Sequence, residues 1–311
     1  LTADGTIGFW PANSDADDVT VIADKPVKLS FLRQQIKKAP GQPNFSLAGK
    51  VIVVTGGTGV LGGAFVEAIA ATGGVVGILG RNEKIANERA NAINQKGGQA
   101  LALIADVTNE SQLESACQQM IAAFGKIDGL VNAAGGNMPD AVVQPDQDVF
   151  QLNFQALQDV MQLNLMGTVI PTQVFGKAIK KNGSGSIVNI SSVVSQLAIT
   201  KVLGYSMAKS AIDCYTQWFA LELANRFGDA IRMNSIAPGF FLTEQNKTLL
   251  TNTDGSLTER GQLVIQNTPF KRFGNPEELV GALIWLLSDA SKYVTGSKIT
   301  VDGGFTVFGG V

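Results

Sequence analysis

Tyr205 and Lys209 stand four residues apart in "GYSMAKSAIDCYTQW", residues 204–218. On a helix that spacing puts both side chains on one face, so a phenol and an ammonium can reach a single pocket. A nearby ammonium favours the phenolate and is expected to lower the tyrosine pKa from about 10 toward neutrality, where the group can give and take a proton. None of the 311 residues is histidine. Ser-His-Asp hydrolysis, His-ligated zinc and His-assisted hydride transfer are therefore excluded, and proton transfer falls to Tyr, Lys, Ser or carboxylates. Taken alone, a solvent-facing tyrosine and lysine is the simpler reading of the pair; the elements around it decide.

Those elements begin near residue 50. The runs "KVIVVTGG" (50–57), "GGVVGILG" (73–80), "ALALIADV" (100–107), "IDGLVNAAG" (127–135), "GSIVNISS" (185–192), "IRMNSIAPG" (231–239) and "GSKITVDGG" (296–304) read as short buried strands ending in polar or glycine residues. Helical segments separate them, which predicts an α/β domain built on a doubly wound parallel seven-stranded sheet. Near-continuous hydrophobicity within each run fits a sheet covered on both faces. Ligands of such sheets bind beyond the carboxyl ends of the strands, so the residues just after each run are where function is sought.

The first such end is "TGGTGVLGG", residues 55–63, between a strand and the amphipathic "AFVEAIAATGG". Glycines there allow a tight turn, and the following helix offers free N–H groups and a positive dipole end to a pyrophosphate. A plain turn is the alternative, but the position after the first strand of a βαβ pattern favours a nucleotide.

Composition narrows the partners. With 45% hydrophobic and 16% charged residues, the chain can fill one large core, with or without an appendage. A net charge of −2 and no block of Lys or Arg argue against a nucleic-acid surface. Runs such as "ALIWLL", residues 282–287, are too short to span a bilayer, and no leader pattern opens the chain, so a cytoplasmic protein without membrane contact is expected. Cys117 and Cys214 lie in apolar helical patterns without metal-ligand spacing; both are expected to be buried structural thiols, and no metal is expected.

Residues 46–311 resemble the short-chain dehydrogenase/reductase family through "TGGTGVLGG", "ADVT" (105–108), "NAAGG" (132–136), "LNLMGT" (163–168), "NISS" (189–192), "YSMAK" (205–209), "APGF" (237–240) and "VDGGF" (301–305). The order and spacing carry the resemblance, and it implies a Rossmann fold and an NAD(P)-dependent enzyme acting on the CH–OH group of its donor. The family pattern at the glycine loop is Thr-Gly-x-x-x-Gly-x-Gly; Val60 stands where the middle glycine is expected, with Gly59 just before it. The resemblance implies that Tyr205 moves the hydroxyl proton of an alcohol or ketone, that Ser192 rather than Ser191 hydrogen-bonds the substrate oxygen, and that Asn164 holds a water relay to Lys209. Asparagine is otherwise unfavourable inside a helix. For the cofactor it implies Gly56, Thr58, Gly59, Val60 and Leu61 at the pyrophosphate. Asp106 and Val107 then lie at the adenine, Asn132, Ala133, Ala134 and Gly135 beside the ribose, and Pro238, Gly239 and Thr243 at the nicotinamide amide, with Tyr205 and Lys209 also touching the dinucleotide.

The second strand-like run ends in Gly80 and Arg81, without the acid that NAD-selective relatives carry there. A guanidinium can pair with a 2′-phosphate, so the reading leans to NADP over NAD; a surface cation at a helix start is the alternative for Arg81. A narrower resemblance, in "NAAGGNMPDA", "LNLMGTVIPTQVF", "PGFFLTEQNKTLL" and "TPFKRFGNPEELVGALIWL", is to the D-mannonate oxidoreductase (fructuronate reductase) branch. A sugar acid needs hydroxyl partners and one cation, and the candidates are Asn137, Gln196, Lys201, Gln245 and Asn246. Lys201, four residues before Tyr205, is chosen for the carboxylate against the alternative of a solvated surface lysine. Gluconate 5-dehydrogenase and 3-oxoacyl carrier-protein reductase are the competing activities, the latter wanting an apolar slot and a cationic docking patch that the sequence does not display. A non-catalytic nucleotide-sensing module is the competing class; the complete set of Asn164, Ser192, Tyr205 and Lys209 argues against it. Assembly as a homotetramer is a further implication of the family.

Residues 1–45 stand apart. "GFWPANSDADDVTV" and "FLRQQIKKAPGQPNFSLA" resemble a stretch of the reactivation domain of cobalamin-dependent methionine synthase. About 45 residues bury too little for an independent core, so an appended arm is expected, from a fusion or chimeric gene joined near "FSLAGK". Leu29, Leu32 and Ile36 form one amphipathic stripe, and residues 39–44 a linker.

Overall fold

In a computed structural model the chain divides into two compact units, Leu1–Pro43 and Asn44–Val311. The structure describes residues 8–9, 20–21, 43–144, 146–243 and 246–310, without the side chains of residues 8–9, 20–21 and 248. In the first unit Gly8–Phe9 (β1) pairs antiparallel with Thr20–Val21 (β2). The expected stripe of Leu29, Leu32 and Ile36, and residues 39–42 of the expected linker, lie outside the described residues.

In the second unit each of the seven apolar runs forms a strand: Val51–Thr55 (β3), Val75–Gly80 (β4), Gln99–Ile104 (β5), Gly129–Asn132 (β6), Gly185–Ile190 (β7), Ile231–Pro238 (β8) and Lys298–Val301 (β9). All pairings are parallel, in the order β5-β4-β3-β6-β7-β8-β9. The observed strands are shorter than the runs that predict them. Residues 56–57, 105–107, 133–135, 191–192 and 302–304 leave the sheet as loops, because glycine and polar side chains there turn the backbone away from the ladder. The order reverses between β3 and β6, and that crevice is where a doubly wound sheet receives its ligand.

Every residue of β3, β4, β6 and β8 is buried, which explains why these runs do not alternate. One face is covered by Val60–Ala71 (α1), Glu83–Gln95 (α2) and Val280–Leu287 (α9), which contribute Phe65, Ile69, Ile93 and Leu283. The other is covered by Glu110–Phe124 (α3), Gly167–Asn182 (α5) and Leu203–Phe227 (α6), which contribute Leu113, Met120, Phe175 and Leu223. Each large apolar side chain buried this way contributes about 1.5–3 kcal/mol. Phe154–Met161 (α4), Lys247–Leu250 (α7) and Glu259–Gln266 (α8) complete the unit. Asn82, Asn109 and Asn153 cap α2, α3 and α4, their side chains accepting from Ile85, Gln112 and Ala156 N–H.

Cys117 is buried, as expected, but Cys214 is exposed. It shares an outward face of α6 with Met207, Trp218 and Leu221, which are exposed as well. Apolar and polar residues are scattered all round this helix, so its pattern does not tell which face meets the sheet. Among the described residues no helix is long and apolar enough to cross a membrane.

Candidate active site

The glycine loop follows β3. Thr55 Oγ1 accepts from the N–H groups of Ala133 and Ala134 at 3.1 and 3.2 Å, tying this loop to the one after β6. Gly56 has φ +66°, and a Cβ there would lie 2.8 Å from Ala133 O; only glycine tolerates both. The N-cap of α1 is Gly59, which brings no side chain, and the first i→i−4 bond beyond it runs from Gly63 N–H to Gly59 O at 2.9 Å. The amides of Val60, Leu61 and Gly62, which precede that bond in the helix, stand at a positive dipole end, a cradle that fits a pyrophosphate. Val60, standing where a glycine is expected, is the first helical residue and is 36% exposed, so its branched side chain leaves the turn intact. Arg89 of α2, which the sequence reading passed over, donates to the carbonyls of Gly57 and Gly59, the latter at 2.8 Å. It holds the loop from behind. Thr58 packs against Gly80, where a Cβ would meet its Oγ1 at 2.6 Å. Burial lowers the Arg89 pKa, with Glu67 acting the other way.

Arg81 follows β4 and lies 3.7 Å from Asp106, its side chain 76% exposed. Burial works to raise the Asp106 carboxyl, but hydrogen bonds from Thr108, at 2.8 Å from N–H and 2.6 Å from Oγ1, and the Arg81 charge outweigh it and leave the pKa below its ordinary value. Val107 is buried. Asn132 turns inward: its Nδ2 donates to Thr172 Oγ1 and Asn189 Oδ1 at 2.9 and 2.8 Å. Its side chain braces the sheet, and Ala133, Ala134 and Gly135 form the loop itself.

Just beyond β7, Ser192 lines a cavity together with Tyr205, near enough for its hydroxyl to act on the phenol. Lys209, one helical turn on, lies 5.4 Å from the Tyr205 ring centroid and donates to Ile190 O at 2.7 Å. Burial pushes Tyr205 up to about 12, the Ser192 hydroxyl opposing. That corrects the expectation of a lowered value. The reason is that the ammonium is itself buried: desolvation brings Lys209 down to about 8, Asp213 opposing, and its proton is directed at a backbone carbonyl. Ser191, the alternative serine, lies 3.5 Å from Lys209 O.

Asn164 sits not in a regular α-helix but in a π-turn, Gln162–Met166, between α4 and α5. Its Oδ1 accepts from Gly136 N–H at 2.9 Å, and its Nδ2 donates to Gly136 O and Val160 O at 2.7 and 2.8 Å. A Cβ on Gly135 would lie 2.6 Å from Asn164 Oδ1 and 3.5 Å from Lys209 Nζ, so the three residues meet at one point. The asparagine clamps the loop after β6.

A cavity of about 180 Å³ opens beside Ser192 and Tyr205, with Pro238, Gly239 and Thr243 also on its wall. A Cβ on Gly239 would meet Asp302 Cα at 2.7 Å, so this loop can lie against the β9 turn only with glycine there. Asn137 lines the cavity, and its Oδ1 is buried with no partner among the described residues. Asn246 lines it too, but its amide accepts from Thr243 N–H at 2.8 Å and donates to Phe241 O at 2.7 Å, shaping the loop. Gln196 is exposed and reaches Thr300 Oγ1 at 3.3 Å, away from the cavity wall. Lys201 is also absent from that wall; its φ of +75° and the bond from Val143 N–H to its carbonyl turn the chain at this point. Gln245 lies outside the described residues. The cation that does line the cavity is Arg260, in the first turn of α8. Nothing local in "TERG" marks it. The apolar slot that the sequence did not display is present as well: Ile199, Val202, Phe240, Phe241, Leu249 and Leu250 line it, gathered from two loops and the short helix α7.

Residues 59–306 match the family profile described as enoyl-(acyl carrier protein) reductase, and residues 1–84 match that of the vitamin B12 dependent methionine synthase activation domain. The second match runs past the first unit into residues that the structure builds into β3, α1 and β4. An uncharacterized oxidoreductase of Bacillus subtilis, UxuB, is 41% identical over 275 residues, covering 86% of this chain and 98% of its own length. A Haemophilus influenzae protein provisionally described as a D-mannonate oxidoreductase, solved with bound NAD, superposes with a TM-score of 0.78 at 39% identity, covering 86% of this chain and 98% of that one. A gluconate 5-dehydrogenase from Burkholderia cenocepacia, in complex with NADP and tartrate, superposes at 0.73 with 32% identity, covering 85% and 97%.

Proposed function

Because the chain belongs to the short-chain dehydrogenase/reductase family and is an NAD(P)-dependent oxidoreductase, we propose that it interconverts the ketone and alcohol of a sugar acid, D-fructuronate and D-mannonate. The observation that carries this reading is the placing of Ser192 and Tyr205 on one cavity, with Lys209 packed against the Tyr205 ring, in a chain so similar to the D-mannonate oxidoreductase-like protein. The nicotinamide cofactor, when bound, supplies the hydride. The α1 amino terminus and Gly56 hold its pyrophosphate, and Asp106 and Arg81 its adenosine. Gly80 followed by Arg81 favours NADP over NAD. Ser192 donates to the substrate ketone oxygen, and Tyr205 delivers the proton as negative charge develops there. A phenol near 12 stays protonated at neutral pH and is still a far stronger acid than an alcohol, so transfer to the forming alkoxide runs downhill. Lys209 and Asn164 hold the loop and the tyrosine in register. In the reverse direction Tyr205 takes the alcohol proton back.

Residues 1–45 contribute none of these groups and are read as an appended arm. Exposed Phe154, Met207, Trp218 and Leu221 are read as a surface for self-association; the homotetramer and the cytoplasmic location follow from the family resemblance alone. The apolar half of the cavity favours a second reading, a 3-oxoacyl reductase. Initial rates with D-fructuronate, 5-ketogluconate and a 3-oxoacyl thioester, each with NADH and NADPH, separate them. D-Fructuronate is expected to lead in kcat/KM by about tenfold or more, ~1.4 kcal/mol of transition-state preference. Preference for the thioester overturns the reading.

A further inference from the structure

Three partly buried arginines show how this protein satisfies a guanidinium, and one of them is different. Arg89 donates to Gly57 and Gly59 carbonyls, and Arg232 to Leu286 O at 2.8 Å, Ser288 O at 3.2 Å and Val294 O at 3.3 Å. Both are struts between elements. Among the described residues Arg260 makes only long bonds to one neutral neighbour, Thr200, at 3.3 Å to its carbonyl and 3.4 Å to its hydroxyl. Among the described residues it has no carboxylate within ion-pairing distance. A guanidinium carries five N–H donors, so most of its capacity is unused. It also sits in the first turn of α8, where the helix dipole disfavours a cation, and burial lowers its pKa. Each of these costs is relieved by an anion in the cavity that it lines.

We propose that Arg260 is the specificity-determining residue that receives a carboxylate on the far end of the substrate, the part assigned from sequence to Lys201. Its planar fork matches a carboxylate in bidentate geometry. Its tie to Thr200 connects it to the segment between Ser192 and Tyr205, so the anchor and the proton donor share one piece of chain. The buried, unpartnered Oδ1 of Asn137 on the same cavity accepts a substrate hydroxyl. Together they select an oxo acid: a carboxylate at one end and a ketone at Tyr205. This inference rests on the reductase reading above and leaves the body of the acid, polyhydroxylated or apolar, to the test.

The test pairs each acid with its primary amide: D-fructuronate with D-fructuronamide, and 4-oxocyclohexanecarboxylate with 4-oxocyclohexanecarboxamide. Wild-type enzyme is compared with Arg260→Met and Arg260→Lys. Thermal melting and cofactor titration establish that each variant is folded and loaded. Arg260→Met is expected to lose about 10- to 100-fold in kcat/KM on the acid, mainly through KM, and far less on the amide, with Arg260→Lys recovering part of the loss. If the acid–amide gap collapses only in the cyclohexane pair, Arg260 holds and the sugar-acid reading fails. Equal losses on acid and amide, or no acid preference in the wild type, overturn the Arg260 assignment even where D-fructuronate remains the better ketone.

Discussion

Residues 55–63 and residues 192–209 both face the crevice at the carboxyl ends of the sheet, yet they work by different physics. The glycine loop has no titratable side chain; its contacts are backbone groups, and what limits it is space, with an added Cβ at Gly56 meeting Ala133 O at 2.8 Å. The second stretch is defined by charge in a dry place. Burial drives Tyr205 and Lys209 in opposite directions, Tyr205 up to about 12 and Lys209 down to about 8. A steric site and an electrostatic site fail differently when altered: the first loses affinity, the second loses rate.

The sharpest way to break this contrast is Tyr205→Phe. Removing the proton donor while keeping the ring is expected to lower kcat by about 10²- to 10⁴-fold and leave cofactor affinity, followed by fluorescence titration, unchanged. Wild-type turnover in the Phe variant contradicts the electrostatic assignment. Gly56→Ala tests the other side: a residue held at φ +66° against backbone costs about 1–3 kcal/mol, expected as weaker cofactor binding with kcat at saturating cofactor largely kept. A loss in kcat alone argues against a purely steric loop.

Lys209→Met sharpens the comparison through stability. The folded pKa of this lysine lies below its usual 10.5, so below about pH 8 the folded protein carries a proton that burial disfavours. As pH rises from about 8 to 10.5 the folded state sheds it before the unfolded chain does, and the penalty fades. The full shift corresponds to about 3 kcal/mol, offset by about 1 kcal/mol for the lost bond to Ile190 O. The variant is therefore expected to melt higher than wild type at pH 7, the gain shrinking toward pH 10, while its ketone reduction slows. A gain independent of pH contradicts the buried charge.

Local pattern carried a great deal. The seven strands, the turn at Gly56 and the shared face of Tyr205 and Lys209 all follow from periodicity, glycine placement and helix spacing, which are properties of neighbours in the chain. The apolar runs extend past the strand ends at residues 105–107 and 133–135 because Ala105, Val107, Ala133 and Ala134, which leave the sheet beside glycine or aspartate, look like residues inside it. Arg89 and Arg260 were missed because their partners are 32 and 60 residues away. Gln196 and Lys201 were misplaced for a related reason: nearness to Tyr205 in sequence says nothing of which way a loop turns, and Lys201 sits at a left-handed bend.

The periodic part of the molecule is written in the order of its residues: strands, helices, the anion cradle, and a phenol–ammonium pair on one face. How dry that pair is, and therefore the direction of both pKa shifts, comes from packing, since desolvation depends on everything around a group rather than on its neighbours in the chain. Packing alone chose which cation lines the cavity, because the sheet order and the loop after β8 bring α8 against the segment before Tyr205. Spacing along a chain fixes directions over a turn or two of helix; across tens of residues, packing fixes them.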